Sequence, residues 1–349
     1  MKKEQKSTIL EFIIENVEAH PSDINHLAAS TFGVSRTTIS KYLKELVRSR
    51  LLVAEGQKKA RKYRLRMLTG KGFNLRLSEH PEEDVVWRQR ILPLVKDVRE
   101  NVRTICQYGF TEIYNNARDH SESETVEISI TRGPSRIWLR IADKGVGIWN
   151  KIQKSFHLLD PRHALLELSK GKLTTDREKH TGEGIFFASR MFDEFSIASG
   201  DLSFIRRKTE KGWLIEVQEK AQRSGTDVHM TISPNAKHTV REILDRFASG
   251  TEDYGFTRTH VPLELLKYQG EELISRSQAR RLVARLEGFK EVLLDFSGIG
   301  TIGHAFADEI FRVYQKKHPG ITITPINTNP EIEKVIERAK RHPANPDIP

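Results

Sequence analysis

Glu112-Ile113-Tyr114-Asn115-Asn116-Ala117-Arg118-Asp119-His120 is the stretch on which the reading of this chain turns. On a helix, Glu112, Asn116 and His120 stand four apart and share one polar stripe, while Phe110, Ile113 and Ala117 are spaced for packing. Taken alone, such a stripe is most often a solvated face. Its meaning depends on the residues downstream of it.

A strand comes next, in which Ile137, Leu139 and Ile141 alternate and which ends in Asp143-Lys144-Gly145-Val146-Gly147-Ile148. A carboxylate at a strand end beside two glycines accepts a hydrogen bond from the exocyclic amine of adenine; guanine presents an oxygen there, so Asp143 would select adenine. The bland alternative is an ordinary Asp/Gly turn. Thr181-Gly182-Glu183-Gly184-Ile185 then runs into the apolar stretch Phe186 to Met191. Small residues at a helix start let backbone N–H groups approach phosphate oxygens. Finally Ser224-Gly225-Thr226 precedes an alternating strand of Val228, Met230 and Ile232, which places Thr226 within reach of the Asp143 pocket. Each signal is weak, but the four agree in order and in expected local structure.

In that order they resemble the N, G1, G2 and G3 boxes of the GHKL superfamily (gyrase, chaperone and histidine-kinase ATPases). The resemblance implies a Bergerat-type α/β sandwich over residues 84–235 that binds ATP and Mg²⁺. It makes Asn116 the Mg²⁺ ligand and Asp143 the adenine contact, with Asp119, Thr181 and Thr226 among the cofactor-binding residues. Gly145, Gly147, Gly182 and Gly184 would shape the phosphate pocket, and residues 149–180 would be its lid. Mg²⁺ keeps most of its octahedral shell as water and phosphate oxygen, so a single Asn is an adequate protein share. Glu112 is the implied catalytic residue. In the superfamily's ATPases the matching Glu orients or deprotonates a water, and in its serine kinases it serves the acceptor hydroxyl. A pocket that binds ATP without turnover stays open as a third reading. His120 is expected to hold the helix end rather than catalyse.

In front of this lies a basic module, residues 1–77, with 16 Lys and Arg against 7 Asp and Glu, while the remaining 272 residues are close to neutral. Ile9, Leu10, Ile13, Ile14 and Val17 mark one helix. Ser22 is placed to cap a second, which ends near Gly33, and Ser35 to cap a third, Arg36 to Arg48. Leu51-Leu52-Val53 reads as a strand, Gln57 to Lys62 as a basic turn and Tyr63-Arg64-Leu65 as a return strand. Three short helices and a basic hairpin resemble a winged helix-turn-helix, and Gly33-Val34-Ser35-Arg36-Thr37-Thr38-Ile39-Ser40 looks like the turn and recognition helix of bacterial repressors. The resemblance puts Arg36, Thr37, Thr38, Lys41 and Lys44 in the major groove. Lys58, Lys59, Arg61 and Lys62 would lie along phosphates, which adds affinity without sequence choice. The competing reading is a protein-docking winged helix with a merely solvated face. Eleven basic against two acidic residues in 34–66 favour DNA.

Met67 to Glu83 has no clear period and reads as linker, with residues 78–83 the linker proper. His80 precedes Pro81 at a boundary, not in a long helical hairpin, which argues against a phospho-accepting histidine. Val85 to Ile105 has helical spacing interrupted at Pro93. Beyond a helical connector, residues 236–249, comes a third module, residues 250–345. It reads as a strand near Val261–Leu266, a helix Ser275–Leu286, a strand Val292–Phe296, a helix Phe306–Tyr314, a strand Ile321–Ile323 and a helix Glu331–Ala339. Alternating strand and helix imply a small covered sheet. Leu294-Asp295-Phe296-Ser297-Gly298 resembles STAS domains, and the module as a whole looks like a STAS-like family found fused to GHKL domains. STAS antagonists of anti-sigma factors carry a Ser or Thr at the start of the helix after the central strand. Here His304 and Ala305 offer no hydroxyl, so switching by phosphorylation is not expected.

Cys106, the one cysteine, excludes an internal disulfide and a cysteine-rich metal site, and reads as a buried apolar residue. No charged-then-apolar leader opens the chain and no apolar run approaches membrane-spanning length, so a cytoplasmic protein without a membrane partner is expected. The whole resembles bacterial fusions of a winged helix-turn-helix, a GHKL domain and a STAS-like domain. The expected function is an ATP-controlled DNA-binding regulator, with a protein partner at the STAS-like module and a homodimer as further options. The alternatives are a serine/threonine protein kinase of anti-sigma type and a non-hydrolysing scaffold.

Overall fold

A computed structural model of the chain describes residues 3–57, 60–79, 81–173, 182–209, 212–248, 255–267 and 271–341. Its first unit contains α1 (Lys3–Asn16), α2 (Ile24–Phe32), α3 (Arg36–Arg48) and the antiparallel hairpin β1 (Leu52–Glu55) and β2 (Lys62–Leu65). Ile9, Ile13, Val17, Ile24, Ile39, Leu43 and Leu52 close a core of its own. At Gly33 a φ of 61° takes the chain into the left-handed region that ends α2, a conformation glycine adopts without a Cβ penalty. Ser35 caps α3, its Oγ accepting the Thr38 N–H at 3.1 Å. Ser22 does no such work for α2, whose N-cap position is Asp23, with no side-chain capping bond to the helix.

The stretch read as linker needs correcting. β3 (Thr69–Arg76) pairs antiparallel with β4 (Thr125–Arg132) along its whole length, Phe73 opposite Ile128. Glycines at 70 and 72 hid the strand by leaving half its positions on one face without a side chain. The hinge after the basic unit is therefore short, and β3 belongs to the central module.

That module is a five-stranded antiparallel sheet in the order β3-β4-β5-β7-β6, with β5 (Ile137–Asp143), β6 (Glu194–Thr209) and β7 (Gly212–Ile232). One sheet face, including Ile128, Leu139, Ile141, Phe195 and Met230, is buried. Helix α6 (Glu100–His120) lies over it, burying Val102, Ile105, Cys106, Phe110, Ile113, Tyr114 and Ala117 at helical spacing. Burial pushes the Cys106 thiol up to about 12, which leaves it an inert packing residue. Before α6 come α4 (Glu83–Val86), a π-helical turn (Trp87–Ile91) and α5 (Leu92–Val95). Pro93 sits in the first turn of α5, where no amide donor is needed; the break expected there falls instead between Val95 and Glu100.

After the sheet's third strand come α7 (Ile148–Ser155), α8 (Pro161–Lys170) and α9 (Gly184–Met191). The expected lid over 149–180 is, as far as residue 173, part of the core: Trp149, Ile152, Leu165, Leu166 and Leu168 are all buried. Ser224-Gly225-Thr226 lies within the long strand β7 rather than ahead of a separate one. The connector holds α10 (Val240–Asp245), started by a Thr239–Glu242 capping box.

The C-terminal module is a parallel three-stranded sheet in the order β10-β9-β8. Its elements are β8 (Arg258–Pro262), α11 (Arg276–Val283), β9 (Glu291–Asp295), α12 (His304–Asp308), a π-helical turn (Glu309–Tyr314), α13 (Gln315–Lys317), β10 (Thr322–Ile326) and α14 (Pro330–Arg341). The strand expected near 261–266 starts earlier and gives way to a 3-10 turn at Leu263–Leu266. The central and C-terminal modules share one continuous apolar core.

Across their junction Lys170, 1% exposed, bonds to Glu167 at 2.7 Å and to the carbonyls of Arg281 at 3.1 Å and Ala284 at 2.8 Å. It thus places a cation on the carbonyls that α11 leaves open at its C-terminus. Arg285 returns to the second oxygen of Glu167 at 3.3 Å. Lys170→Met leaves the buried Glu167 with Arg285 as its remaining cationic partner and should cost about 3 kcal/mol of unfolding free energy. Lys170→Met combined with Glu167→Leu should recover much of the loss. Urea denaturation of the full chain measures both, and a single variant as stable as wild type would show the junction is not held this way.

Candidate functional site

The centre of the site is the end of β5. Asp143 is buried, and its Oδ1 accepts the backbone N–H groups of Gly145 at 2.9 Å and Thr226 at 3.2 Å. Among the described residues no protein donor reaches Oδ2. Burial pushes the Asp143 pKa above the ordinary carboxylate value; the two N–H bonds oppose that rise. Thr226 Oγ1 accepts the N–H of Ile148 at 3.0 Å, which fixes the hydroxyl and leaves its proton to be given to an acceptor.

Glycines allow these strands and turns to meet. Gly225 has φ of 76°, and a Cβ there would stand 2.0 Å from the Asp143 carbonyl oxygen. Gly147, with φ of 80°, starts α7 close under the Ser199 hydroxyl. Gly145 passes so near the end of α6 that a Cβ would lie 1.8 Å from the Ser121 carbonyl oxygen, which accepts the Val146 N–H. Gly182, with φ of 73°, folds against Leu173, whose N–H donates to the Gly182 carbonyl at 3.2 Å.

Together these elements surround a cavity with an open mouth. Asn116, Asp143, Gly147, Gly182 and Thr226 line it, between apolar walls that include Ile113, Ile141, Ile152 and Val228. His120, expected only to hold the helix end, also lines it. So does Lys151, which belongs to none of the four motifs; it sits one turn into α7, a position whose only signal was a cation just after a glycine-started helix. Lys151 is ion-paired to Glu122 at 2.7 Å.

Among the described residues, the expected site residues Glu112, Asp119, Gly145 and Gly184 stand back from the lining. Glu112 is one turn deeper on α6, with its carboxylate against Gly184 at the start of α9: a Cβ on Gly184 would be 1.9 Å from Oε2. Burial, and then the neighbouring Glu183 charge, push the Glu112 pKa up. Gly184 therefore makes room for Glu112. Asp119 is bonded to Arg118, which also reaches Glu83, and lies on the outer side of the helix. Asp119 is not among the residues that line the cavity. Thr181 lies outside the described residues.

In the basic unit, Arg36, Thr37, Lys41 and Lys44 are exposed on α3. Arg36 bonds the His26 ring at 2.9 Å, and the Thr38 hydroxyl bonds the Ser35 hydroxyl at 2.9 Å. Arg61 and Lys62 are exposed on the hairpin; Lys58 and Lys59, like His80, lie outside the described residues.

Residues 278–333 match a family described as a STAS-like domain of unknown function (DUF4325), a segment that starts in α11 and ends in α14. No curated protein matches the chain.

The raised Glu112 pKa has a testable sign. A carboxyl that holds its proton more tightly when folded favours the folded state fully below its unfolded pKa. That contribution is lost as pH rises through the folded value. Glu112→Gln should therefore raise the melting temperature, and by more at pH 7.5 than at pH 5. An equal gain at both pH values would show that Glu112 is charged without cost.

Proposed function

We propose that the central module is a GHKL-type ATP·Mg²⁺-binding fold and that the N-terminal unit is a winged helix-turn-helix that binds DNA. In this reading ATP state sets the arrangement of the modules and thereby DNA or partner binding. The observation that carries it is the convergence on one cavity of Asn116, Asp143, Gly147, Gly182 and Thr226, drawn from four separated stretches of sequence.

Asp143 Oδ2 is the acceptor for the adenine amine, and the Thr226 hydroxyl supports the same ring edge. The apolar walls bury the base, while the N-termini of α7 and α9 and Lys151 supply positive potential for the phosphates. Asn116 would be the protein's ligand to Mg²⁺. It lines the cavity, and among the described residues no trio of His, Cys, Asp or Glu is arranged to hold a metal. A cation there takes its other ligands from phosphate and water, as Mg²⁺ does. It would screen charge on the phosphates. Glu112, whose pKa is raised by burial and then by the Glu183 charge, is the carboxyl we assign to orient a water and take its proton. The STAS-like module, a kind of domain that serves protein contact, would receive the partner.

Asp143→Asn replaces the acceptor by an amide. It should weaken ATP binding at least tenfold by calorimetry, whereas Glu112→Ala should bind nearly as wild type and lose turnover. Incubation with γ-labelled ATP separates the activities. Free phosphate is the expected product; label on the protein between residues 290 and 306 would instead indicate a kinase acting on its own STAS-like module. An Asp143→Asn variant with wild-type affinity sinks the nucleotide assignment.

For the DNA interface, replacing Lys58, Lys59, Arg61 and Lys62 should weaken binding to every sequence. Every phosphate left without its cation should lower the slope of log K against log salt by roughly one. Changes at Thr37 or Lys41 should shift sequence preference. Gel-shift titration over a salt series reads both, and an unchanged slope in the wing variant would remove the hairpin from the interface.

A further inference from the structure

A second, narrow cavity lies where α8, α9 and β6 meet β8 and the 3-10 turn after it. Leu168 and Ile185 line both this cavity and that of Asp143, so the two are neighbours through a thin apolar wall. Its polar lining is Ser169, Ser189, Arg190, Arg206 and His260, residues of both the central and the C-terminal module.

Arg190 is the unusual member. It is 9% exposed, and its guanidinium carbon lies 3.3 Å from the centre of the Phe186 ring. Its N–H groups reach the Phe186 carbonyl at 3.0 Å, Ser189 Oγ at 3.1 Å and the His260 carbonyl at 3.5 Å. All of these acceptors are neutral, and among the described residues no carboxylate pairs with Arg190. Arg206, also buried, adds a second guanidinium held to the Ser189 carbonyl at 2.8 Å. Burial and the Arg206 charge both push the Arg190 pKa well down. A guanidinium without a counter-charge in such surroundings is costly, and buried charges are otherwise paired. An aromatic face offsets only part of that cost.

We propose that this cavity is a binding site for one small oxyanion of the phosphate or carboxylate class, anchored by Arg190, at the junction of the central and STAS-like modules. The anion replaces the missing counter-charge, and because the lining comes from both modules its binding tightens their contact. The site is independent of the nucleotide reading, since it uses neither Asp143 nor Asn116.

The test is the melting temperature of the full chain titrated with inorganic phosphate, or with acetate, at ionic strength held constant with chloride. A ligand that binds only the folded chain raises stability by RT ln(1 + [L]/Kd), so the wild type should show a saturating rise. Gain with phosphate alone assigns the phosphate class; equal gain with acetate assigns the site to carboxylates as well. Arg190→Gln should lose the response, and Asp143→Asn should keep it, which separates this site from the adenine pocket. Ser169→Asp places a carboxylate in the cavity. It should melt above wild type in phosphate-free buffer and respond to neither anion, which decides the matter even if Arg190→Gln does not fold. A wild type indifferent to both anions overturns the proposal. So does a full response in Arg190→Gln, or a Ser169→Asp variant that is only destabilised.

Discussion

Between the last turn of α6 and the turn after β5 there is room for backbone alone. Gly145 lies against the Ser121 carbonyl, Val146 donates its N–H to that same oxygen, and Gly225 presses on the Asp143 carbonyl from β7. Further back on α6, Gly109 lets the helix settle on Phe192 and Met230, where a Cβ would stand 2.4 Å from the Phe192 ring. These close approaches set the height of α6 over the sheet, and so the depth at which Glu112, Asn116 and His120 stand beside Asp143. A methyl group at Gly109 or Gly145 would lift the helix and open the cavity floor, and one at Gly225 would push β7 off the Asp143 carbonyl. The main cost is conformational: glycine loses more freedom on folding than other residues.

The same packing explains the electrostatics. Carboxylates at 112 and 143 sit on the inner side of the apolar layer, where desolvation raises both pKa values. They differ in what opposes it. Asp143 has two backbone N–H groups on one oxygen, which hold the carboxyl in place and leave the other oxygen to the cavity. Glu112 has the like charge of Glu183 nearby instead. One carboxyl is therefore suited to accept a fixed hydrogen bond, and the other to exchange a proton. Environment assigns two roles to one functional group.

How far this was legible in the sequence depends on where the information lies. α3 reads correctly to the residue because its cap, its apolar stripe and its terminating turn are all local. The three glycine-bearing stretches are legible too, since glycine at a fixed offset from a strand end or helix start records a backbone constraint. β3 was missed because an edge strand buries little and here spends two positions on glycine. The misplaced lid has a different cause. Apolar periodicity shows that α7 and α8 have an inner face, but what the inner face of α8 meets is a module more than eighty residues further on. Likewise Asp119 stands only three residues from Asn116, and the sequence does not show that its carboxylate pairs with Arg118 instead of lining the cavity. Lys170 and Arg190 carried no sequence signal, because a buried cation looks like any other until its surroundings are known.

The junction of the central and C-terminal modules ties these points together. On α8, Leu168 forms part of the wall of the Asp143 cavity, and two residues later Lys170 grips the end of α11. Thr259 of β8 donates its hydroxyl to the Lys170 carbonyl at 2.6 Å, and Lys172 reaches the Gly288 carbonyl at 2.8 Å. A rigid helical lever thus has one side on the proposed nucleotide site and the other on the STAS-like module. Tightly packed interiors transmit such displacements rather than absorb them. Coupling between two sites is reciprocal in free energy. Were a cavity ligand to change affinity for a partner at α11, that partner would change affinity in the cavity by the same factor. The buried ion pair suits this role because it tolerates little displacement: moving Lys170 off the α11 carbonyls leaves charges in an apolar layer, so the junction favours discrete arrangements over gradual ones.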